Sequence, residues 1–299
     1  MNLNYAEKRN SDMGKLVDYE CKYVKFYGID RDILKSLNLD PSDVYRNGEA
    51  MAAYADEVRK KTEAAYCKLP FDTFVEGEAL GAELIYDGSI NGPRKGEDLI
   101  KDPHELLELP LLGPDCGRIP EIFKAADILR ADGIKTVIEV RGLFDILNSL
   151  TDIQKVMMLW MKEPDVMQQI CDRIREGLLE YVKAARDHCD LLFYSDASGG
   201  INVIGPRMGK KLVEWFTYPL MKDLQELLKD GPKLQMCPKT SFMLTGCGKA
   251  HFADIPAPPA ETYAESCMAL PAEVQFFGQR CSRELSKPGS GTISYLKLD

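Results

Sequence analysis

Lys233-Leu-Gln-Met-Cys-Pro-Lys-Thr240 reads as a short apolar strand that delivers a cysteine, Cys237, into a proline-containing turn. Leu191-Leu-Phe-Tyr-Ser-Asp-Ala-Ser-Gly-Gly200 has the same shape: an apolar strand, then Ser195 and Asp196, then a glycine loop. Val274-Gln-Phe-Phe-Gly-Gln-Arg-Cys281 repeats it with a second cysteine. Polar or thiol groups at the carboxyl ends of successive strands are what a β/α-barrel active site requires, because the βα loops all open onto one face. For each cysteine the alternative is a small buried apolar residue, the commonest fate of a thiol.

The alternation continues outward from these strands. Lys135-Thr-Val-Ile-Glu-Val140 is a β-branched run leading into Arg141-Gly142. Helices are expected over 147–161, 164–188 and 210–228, the second carrying Val166, Ile170, Ile174, Leu178 and Tyr181 at helical spacing. Towards the amino terminus a helix is expected over 49–66 and another over 119–131, opened by Pro120 and closed at Gly133. Between them a first strand is expected over 71–77, ending at Glu76 with Glu78 close behind, and a short strand over 82–86. Strands separated by such helices indicate parallel βαβ units. The expected fold is α/β, a TIM (β/α)8-type barrel with an N-terminal helical extension. It forms a single domain over 1–299, with the extension at 1–68 and the barrel at 69–299. Neither GxGxxG nor GxxxxGK[ST] occurs, so a nucleotide-binding doubly wound fold lacks its best support.

Composition narrows the function classes. With 45% hydrophobic and 28% charged residues, the 299-residue chain can bury a full core. A net charge of −9 and a pI near 5.1 argue against a nucleic-acid or anionic-membrane surface. The first ten residues are polar and no apolar run approaches the roughly 20 residues of a membrane span, so a cytoplasmic location is expected. The nine cysteines contain no CxxC pair and are expected to be reduced thiols. With only three histidines, a metal site would lean on sulfur and carboxylate ligands.

Several carboxylates are candidates for chemistry. Glu76 and Glu78 lie at a strand end facing the mouth and could supply a proton or a metal ligand; as solvated loop carboxylates they would do neither. Glu139 and Arg141 flank Val140 and point to one side of their strand, an ion pair at the mouth or a purely structural one. Asp196 follows an almost wholly apolar strand, where the alternatives are catalysis or an N-cap of the following helix. Tyr194 and Ser195, beside it, are read as lining the substrate pocket, with core packing the other role for the tyrosine.

The succession Leu69-Pro-Phe-Asp-Thr-Phe-Val-Glu-Gly-Glu-Ala-Leu-Gly81, Val140-Arg-Gly-Leu-Phe144, Glu180-Tyr-Val-Lys-Ala184 and Tyr194-Ser-Asp-Ala-Ser-Gly199 resembles the uroporphyrinogen decarboxylase superfamily. Within it, the chain is more similar to the branch of cobamide-dependent methyltransferases than to the decarboxylases. The resemblance spans roughly residues 45 to 281. It implies a TIM barrel with an N-terminal helical extension and a pocket at the carboxyl ends of the strands; by their place at strand ends, Asp196 and Glu76 are the expected catalytic groups, with Glu78, Arg141, Tyr194 and Ser195 around the substrate. It also implies a methylated corrinoid or tetrahydrofolate as substrate, a small methyl acceptor of the thiol or folate type, a corrinoid protein as partner and a homodimer. The decarboxylases carry an arginine-rich amino-terminal motif for their polycarboxylate substrate. Here the basic groups near the start are Lys8-Arg9 and Arg59-Lys-Lys61, placed as solvated charge.

In the methyltransferase branch a His-x-Cys and a later Cys hold zinc. Cys237 matches the first cysteine and Gln235 occupies the histidine position, while Cys281 is the candidate later ligand and Cys247 and His251 are alternatives. A carboxamide is a poor zinc ligand beside imidazole, so the Gln235 departure bears on whether zinc is held. The activity expected is methyl transfer, zinc-assisted if the site is intact. Uroporphyrinogen-type decarboxylation and a barrel kept only for binding are the other classes.

Overall fold

The computed structural model describes residues 29–89 and 92–299; the readings at 1–10, at Lys8-Arg9 and at Cys21 lie outside the described residues. Its strands are β1 (Tyr66–Leu69), β2 (Leu84–Ile85), β3 (Arg94–Lys95), β4 (Lys135–Arg141), β5 (Leu191–Ser195), β6 (Lys233–Met236), β7 (Ala250–Pro256), β8 (Phe276–Phe277) and β9 (Thr292–Leu298). β2 and β3 form a small antiparallel pair, and the other seven make one sheet in the order β1-β4-β5-β6-β8-β9-β7.

β1, β4, β5, β6 and β8 are parallel neighbours. Parallel neighbours need long crossovers, and helices supply them. Ile119–Ala131 precedes β4, and Leu143–Leu150, Ile153–Lys162 and Pro164–Ala185 lead to β5. Ile201–Leu212 runs through a π-helical turn at Val213–Thr217 into Tyr218–Leu227 before β6. β9 departs from the pattern, pairing antiparallel with both β8 and β7. The connection from β8 to β9 holds the 3-10 turn Ser282–Glu284 and no crossover helix, in keeping with an antiparallel return.

Strand alternation sorts side chains into two cores. Leu69, Ile138, Val140, Leu192, Tyr194, Leu234 and Met236 pack into a large cluster with the helices, which includes Phe144, Trp160 and Tyr181. The intervening positions, Tyr66, Val137, Leu191, Phe193 and Phe277, form a second cluster on the opposite, inner face. Tyr66 on edge strand β1 donates from its hydroxyl to the Ser282 carbonyl beyond β8 at 3.1 Å. Edge strand and far strand meet this way only if the sheet curls, so the parallel strands wrap an interior with helices outside. The barrel character read from the sequence holds, with β9 as an antiparallel member.

Local readings shift in four places. The first strand is β1 at Tyr66–Leu69, not 71–77, and it begins ahead of the expected barrel boundary at 69. Asp72 accepts the Phe74 N–H at 2.9 Å, which turns the chain into the short helix Val75–Ala79, so Glu76 is helical. The helix expected over 49–66 runs over Gly48–Thr62 and stops where Glu63 takes φ 53°. The helix expected over 147–161 is two helices divided at Thr151-Asp152, where the Asp152 side chain caps the second. The helix expected over 210–228 begins earlier, at Ile201, across a kink at Gly205 (φ 76°).

Ahead of β1, the helices Arg31–Leu37, Asp43–Arg46 and Gly48–Thr62 pack around Ile33, Val44, Tyr45 and Tyr54. No helix among the described residues is long and apolar enough to cross a membrane.

Candidate active site

Every fully buried charged side chain among the described residues lies just beyond β1, at or beyond the end of β4, just beyond β5, or on Arg118, which pairs with one of them. These are Asp72, Glu76, Glu139, Arg141, Asp145, Asp196 and Arg118. Charged groups are seldom buried without partners, so their concentration at the carboxyl ends of parallel strands marks this as the candidate site.

Two ion-paired groups frame it. On the inner face Glu139 is gripped from both sides, by Lys68 Nζ at 2.7 Å and by the Arg141 guanidinium at 2.7 Å. Period-two alternation puts Glu139 and Arg141 on the same face of β4, as read from the sequence. Arg141 also reaches Asp145 at 3.6 Å. Beyond β1, Arg118 makes a two-pronged pair with Asp72, both contacts at 2.7 Å, and touches Glu78 at 2.6 Å. Tyr86 donates its hydroxyl to Glu78 at 3.0 Å, so Glu78 is a partner of Arg118 and not a solvated loop carboxylate.

Glu76 is 1% exposed and accepts the backbone N–H of Arg141 at 2.8 Å. Burial pushes its pKa up to about 7, against the opposing pull of the Arg141 N–H and guanidinium. The carboxyl group can therefore take or give a proton near neutrality.

Asp196 and Asp145 exchange caps. Asp196 accepts the N–H groups of Phe144 and Asp145 at 3.2 and 3.0 Å, the first turn of Leu143–Leu150. Asp145 in return accepts the N–H groups of Ala197 and Ser198 at 3.0 and 2.8 Å. Asp196 thus caps a helix, but the one after β4 and not the one that follows it in sequence. Burial, then the neighbouring Asp145 carboxylate, raises its pKa. The brace is tight enough to require Gly142, where a Cβ would fall 2.4 Å from both the Tyr194 hydroxyl and Asp196 Cβ. Tyr194 belongs to the helix-side core, while Ser195, in register with Arg141, faces the interior. The Tyr194 hydroxyl is buried and has no hydrogen-bond partner among the described residues.

On the β6–β8 side the buried polar side chains carry no charge. Cys237 follows β6, its N–H bound to the Tyr194 carbonyl at 2.8 Å, which places it at the same end as Asp196. Cys281 follows β8, parallel to β6, at that end too. Gln235 is fully buried, and its amide nitrogen is given to the Arg280 carbonyl. His251 sits away from them, paired with Asp299 at 2.6 Å. Among the described residues no three His, Cys, Asp or Glu side chains converge as metal ligands. Two thiols and a carboxamide already engaged by backbone do not make a zinc site by themselves. None of the eight described cysteines is in a disulfide.

Sequence reading missed Lys68, Asp72, Arg118 and Asp145 as members of the site. Only Asp145 had a local signal, an acid in the first turn of a helix. The Asp72–Arg118 pair spans 46 residues of chain, which no local pattern reveals.

A search of curated proteins finds no match to the chain. Among solved structures, a methyltransferase from Methanosarcina mazei superposes with a TM-score of 0.59 at 19% identity, covering 75% of this chain and 68% of that one. At that identity the likeness is one of fold. The profile of the uroporphyrinogen decarboxylase (URO-D) family matches residues 29–262, which take in every buried charged group described above. The chain belongs to the uroporphyrinogen decarboxylase family.

Proposed function

We propose that the protein is a methyltransferase of the corrinoid-dependent type, moving a methyl group between a corrinoid and a thiol or folate-type acceptor. The observation that carries this reading is the charge of the mouth. Five buried carboxylates stand against two buried arginines, and each arginine is matched by two acids. A substrate bearing many carboxylates needs arginines available for charge-assisted bonds. A neutral ligand such as a thiol, or a corrinoid carrying its methyl group, fits this mouth better. The fold likeness to a methyltransferase supports the same direction.

Glu76 is the group we assign to proton transfer. In methylation of a thiol, the sulfur–carbon bond forms as the corrinoid's methyl bond breaks, the bonding pair stays with the corrinoid, and the thiol proton goes to the Glu76 carboxylate. A base with a pKa near the working pH is the efficient one. Asp196, braced against the first turn of the helix beyond β4, is assigned as the second proton-transfer group, while Asp145 holds the loop beyond β5. Ser195 and Arg141 face the substrate side. No step is assigned to zinc.

The decarboxylase reading keeps support from the family match itself. One experiment separates the two: purified protein incubated anaerobically with methylcobalamin and a panel of thiols, and separately with uroporphyrinogen. Loss of the methylcobalamin absorbance with formation of the methyl thioether is expected. Carbon dioxide release from uroporphyrinogen without methyl transfer would reverse the assignment.

A further inference from the structure

Glu76 stands on the five-residue helix Val75–Ala79, which has no side-chain cap. A helix so short does not hold itself in water, so its position comes from what grips it. Gly77 lies against the helix Leu143–Leu150, where a Cβ would fall 1.8 Å from Ser149 Oγ. The other grip is Arg118.

Arg118 is 5% exposed and spreads its guanidinium over three pieces of chain. It forms the two-pronged pair with Asp72, whose carboxylate also fixes the Phe74 N–H ahead of the short helix. Its Nε lies 2.6 Å from a Glu78 oxygen, a charge contact at an angle that makes no hydrogen bond. The Tyr86 hydroxyl holds the same carboxylate. Nη1 also donates to the Tyr45 carbonyl at 3.1 Å, in the helical extension ahead of β1. Asp72 and Glu78 bracket Glu76 in sequence, and residues two apart on a helix point to different sides. Glu78 therefore turns to Arg118 while Glu76 reaches the Arg141 N–H at 2.8 Å. Arg118 is itself anchored, because it directly precedes the helix Ile119–Ala131, whose Glu121 accepts the Gly48 N–H at 2.7 Å. A cation is disfavoured at that end of a helix, and the two acids offset it.

We propose that Arg118 is a positioning residue for Glu76, clamping the short helix through Asp72 and Glu78 so that the Glu76 carboxyl stays dry and on the Arg141 N–H. This rests on the reading of Glu76 as the proton acceptor. Arg118 acts through the two acids and not by touching substrate. Burial is what lifts the Glu76 carboxyl to about 7, so loosening the clamp would admit water and return it towards the ordinary 4.5.

Arg118→Lys separates grip from charge, since the ammonium keeps the positive charge but cannot make the two-pronged pair. Carboxyl NMR of protein labelled with carbon-13 glutamate follows Glu76 directly, its signal identified by its loss in Glu76→Gln. In Arg118→Lys the Glu76 midpoint is expected to fall from about 7 towards 4.5, at least about tenfold in proton affinity. The acid limb of the kcat profile for methyl transfer should move with it, kcat at neutral pH falling by about tenfold while KM stays within about threefold. Tyr86→Phe, which removes only the neutral bond to Glu78, should lower the midpoint by about threefold, and it decides the matter if Arg118→Lys does not fold. A midpoint unchanged within about twofold in the folded variants would overturn the proposal whatever their loss of stability, because a merely structural arginine leaves Glu76 titrating as before. So would a wild-type midpoint already near 4.5. The midpoint is read without substrate. A midpoint that falls in protein without methyl transfer would therefore fault the function alone, and Glu76-dependent methyl transfer with an unmoved midpoint would fault the clamp alone.

Discussion

The two halves of the barrel mouth solve burial differently. On the β1–β4–β5 side, the polar groups are ionised partners: Lys68 and Arg141 on Glu139, and Arg118 on Asp72 and Glu78. On the β6–β8 side they are an amide, two thiols and hydroxyls tied to backbone carbonyls. A buried charge needs an opposite charge in good geometry, so the first half is rigidly over-determined. A neutral group needs only a hydrogen bond, so in the second half backbone carbonyls of the chain around β8 suffice to satisfy Gln235 Nε2 and Ser241 Oγ.

Breaking the charged half should cost most. Arg118→Leu leaves Asp72 buried without its counter-ion and is expected to lower stability by roughly 3–5 kcal/mol. Urea denaturation of the variant checks this, and a loss under about 1 kcal/mol would mean that Asp72 finds water or another partner.

Glu76→Gln keeps the shape of the side chain and removes its proton chemistry. Methyl transfer is expected to fall by about a hundredfold or more, with stability at neutral pH unchanged or raised. Rates within a few-fold of wild type would remove Glu76 from the reaction.

The pH dependence sharpens the same point. The folded-state pKa of Glu76 lies above its ordinary value of 4.5, at about 7. The folded protein then holds a proton that the unfolded chain releases. Stability should be full below about pH 4.5 as far as this group is concerned, and decline as pH rises through about 7, by a few kcal/mol in all. The raised pKa of Asp196 adds a decline of the same sign. Urea midpoints measured from roughly pH 5 to pH 8 should fall, and Glu76→Gln should flatten the slope. A slope that rises over this window would mean the carboxyl is ionised in the folded state.

Smaller effects belong to the seam and to the neutral half. Asp145→Ala removes the cap on the Ala197 and Ser198 N–H groups, at a cost of about 1–2 kcal/mol by thermal denaturation. Cys237→Ala should change stability by less than about 1 kcal/mol. Elemental analysis of the wild-type protein and of this variant should give the same zinc content, well below one ion per chain. Stoichiometric zinc lost on Cys237→Ala would place a metal site in the neutral half after all.

Much of this was readable along the chain. The β-branched and apolar runs at 135–140, 191–194 and 233–236 became β4, β5 and β6 almost residue for residue, and Pro120 and Gly133 bracketed their helix. Glu139 and Arg141 were placed on one face by alternation alone. The first strand falls at Tyr66–Leu69 and not at 71–77, two runs that are adjacent and equally apolar in sequence. Pairing with β4 favoured the earlier run. Alternation also implied that Tyr194 and Ser195 face opposite ways, although both were read as lining the pocket.

Neighbours along the chain set alternation, capping and turn chemistry, and these are written into residue order. The partners of a buried charge are not. Lys68 meets Glu139 across 71 residues, and Glu76 meets the Arg141 N–H across 65. Those meetings exist only because parallel strands place their carboxyl ends side by side, and only there does low exposure lift Glu76 towards neutrality. The cap between Asp196 and the helix beyond β4, and the covering of Gln235 by residues near 280, likewise depend on which strands become neighbours. Local order of residues decides which elements form; the closing of the sheet decides which groups share a site, because burial and proximity are properties of the packed chain.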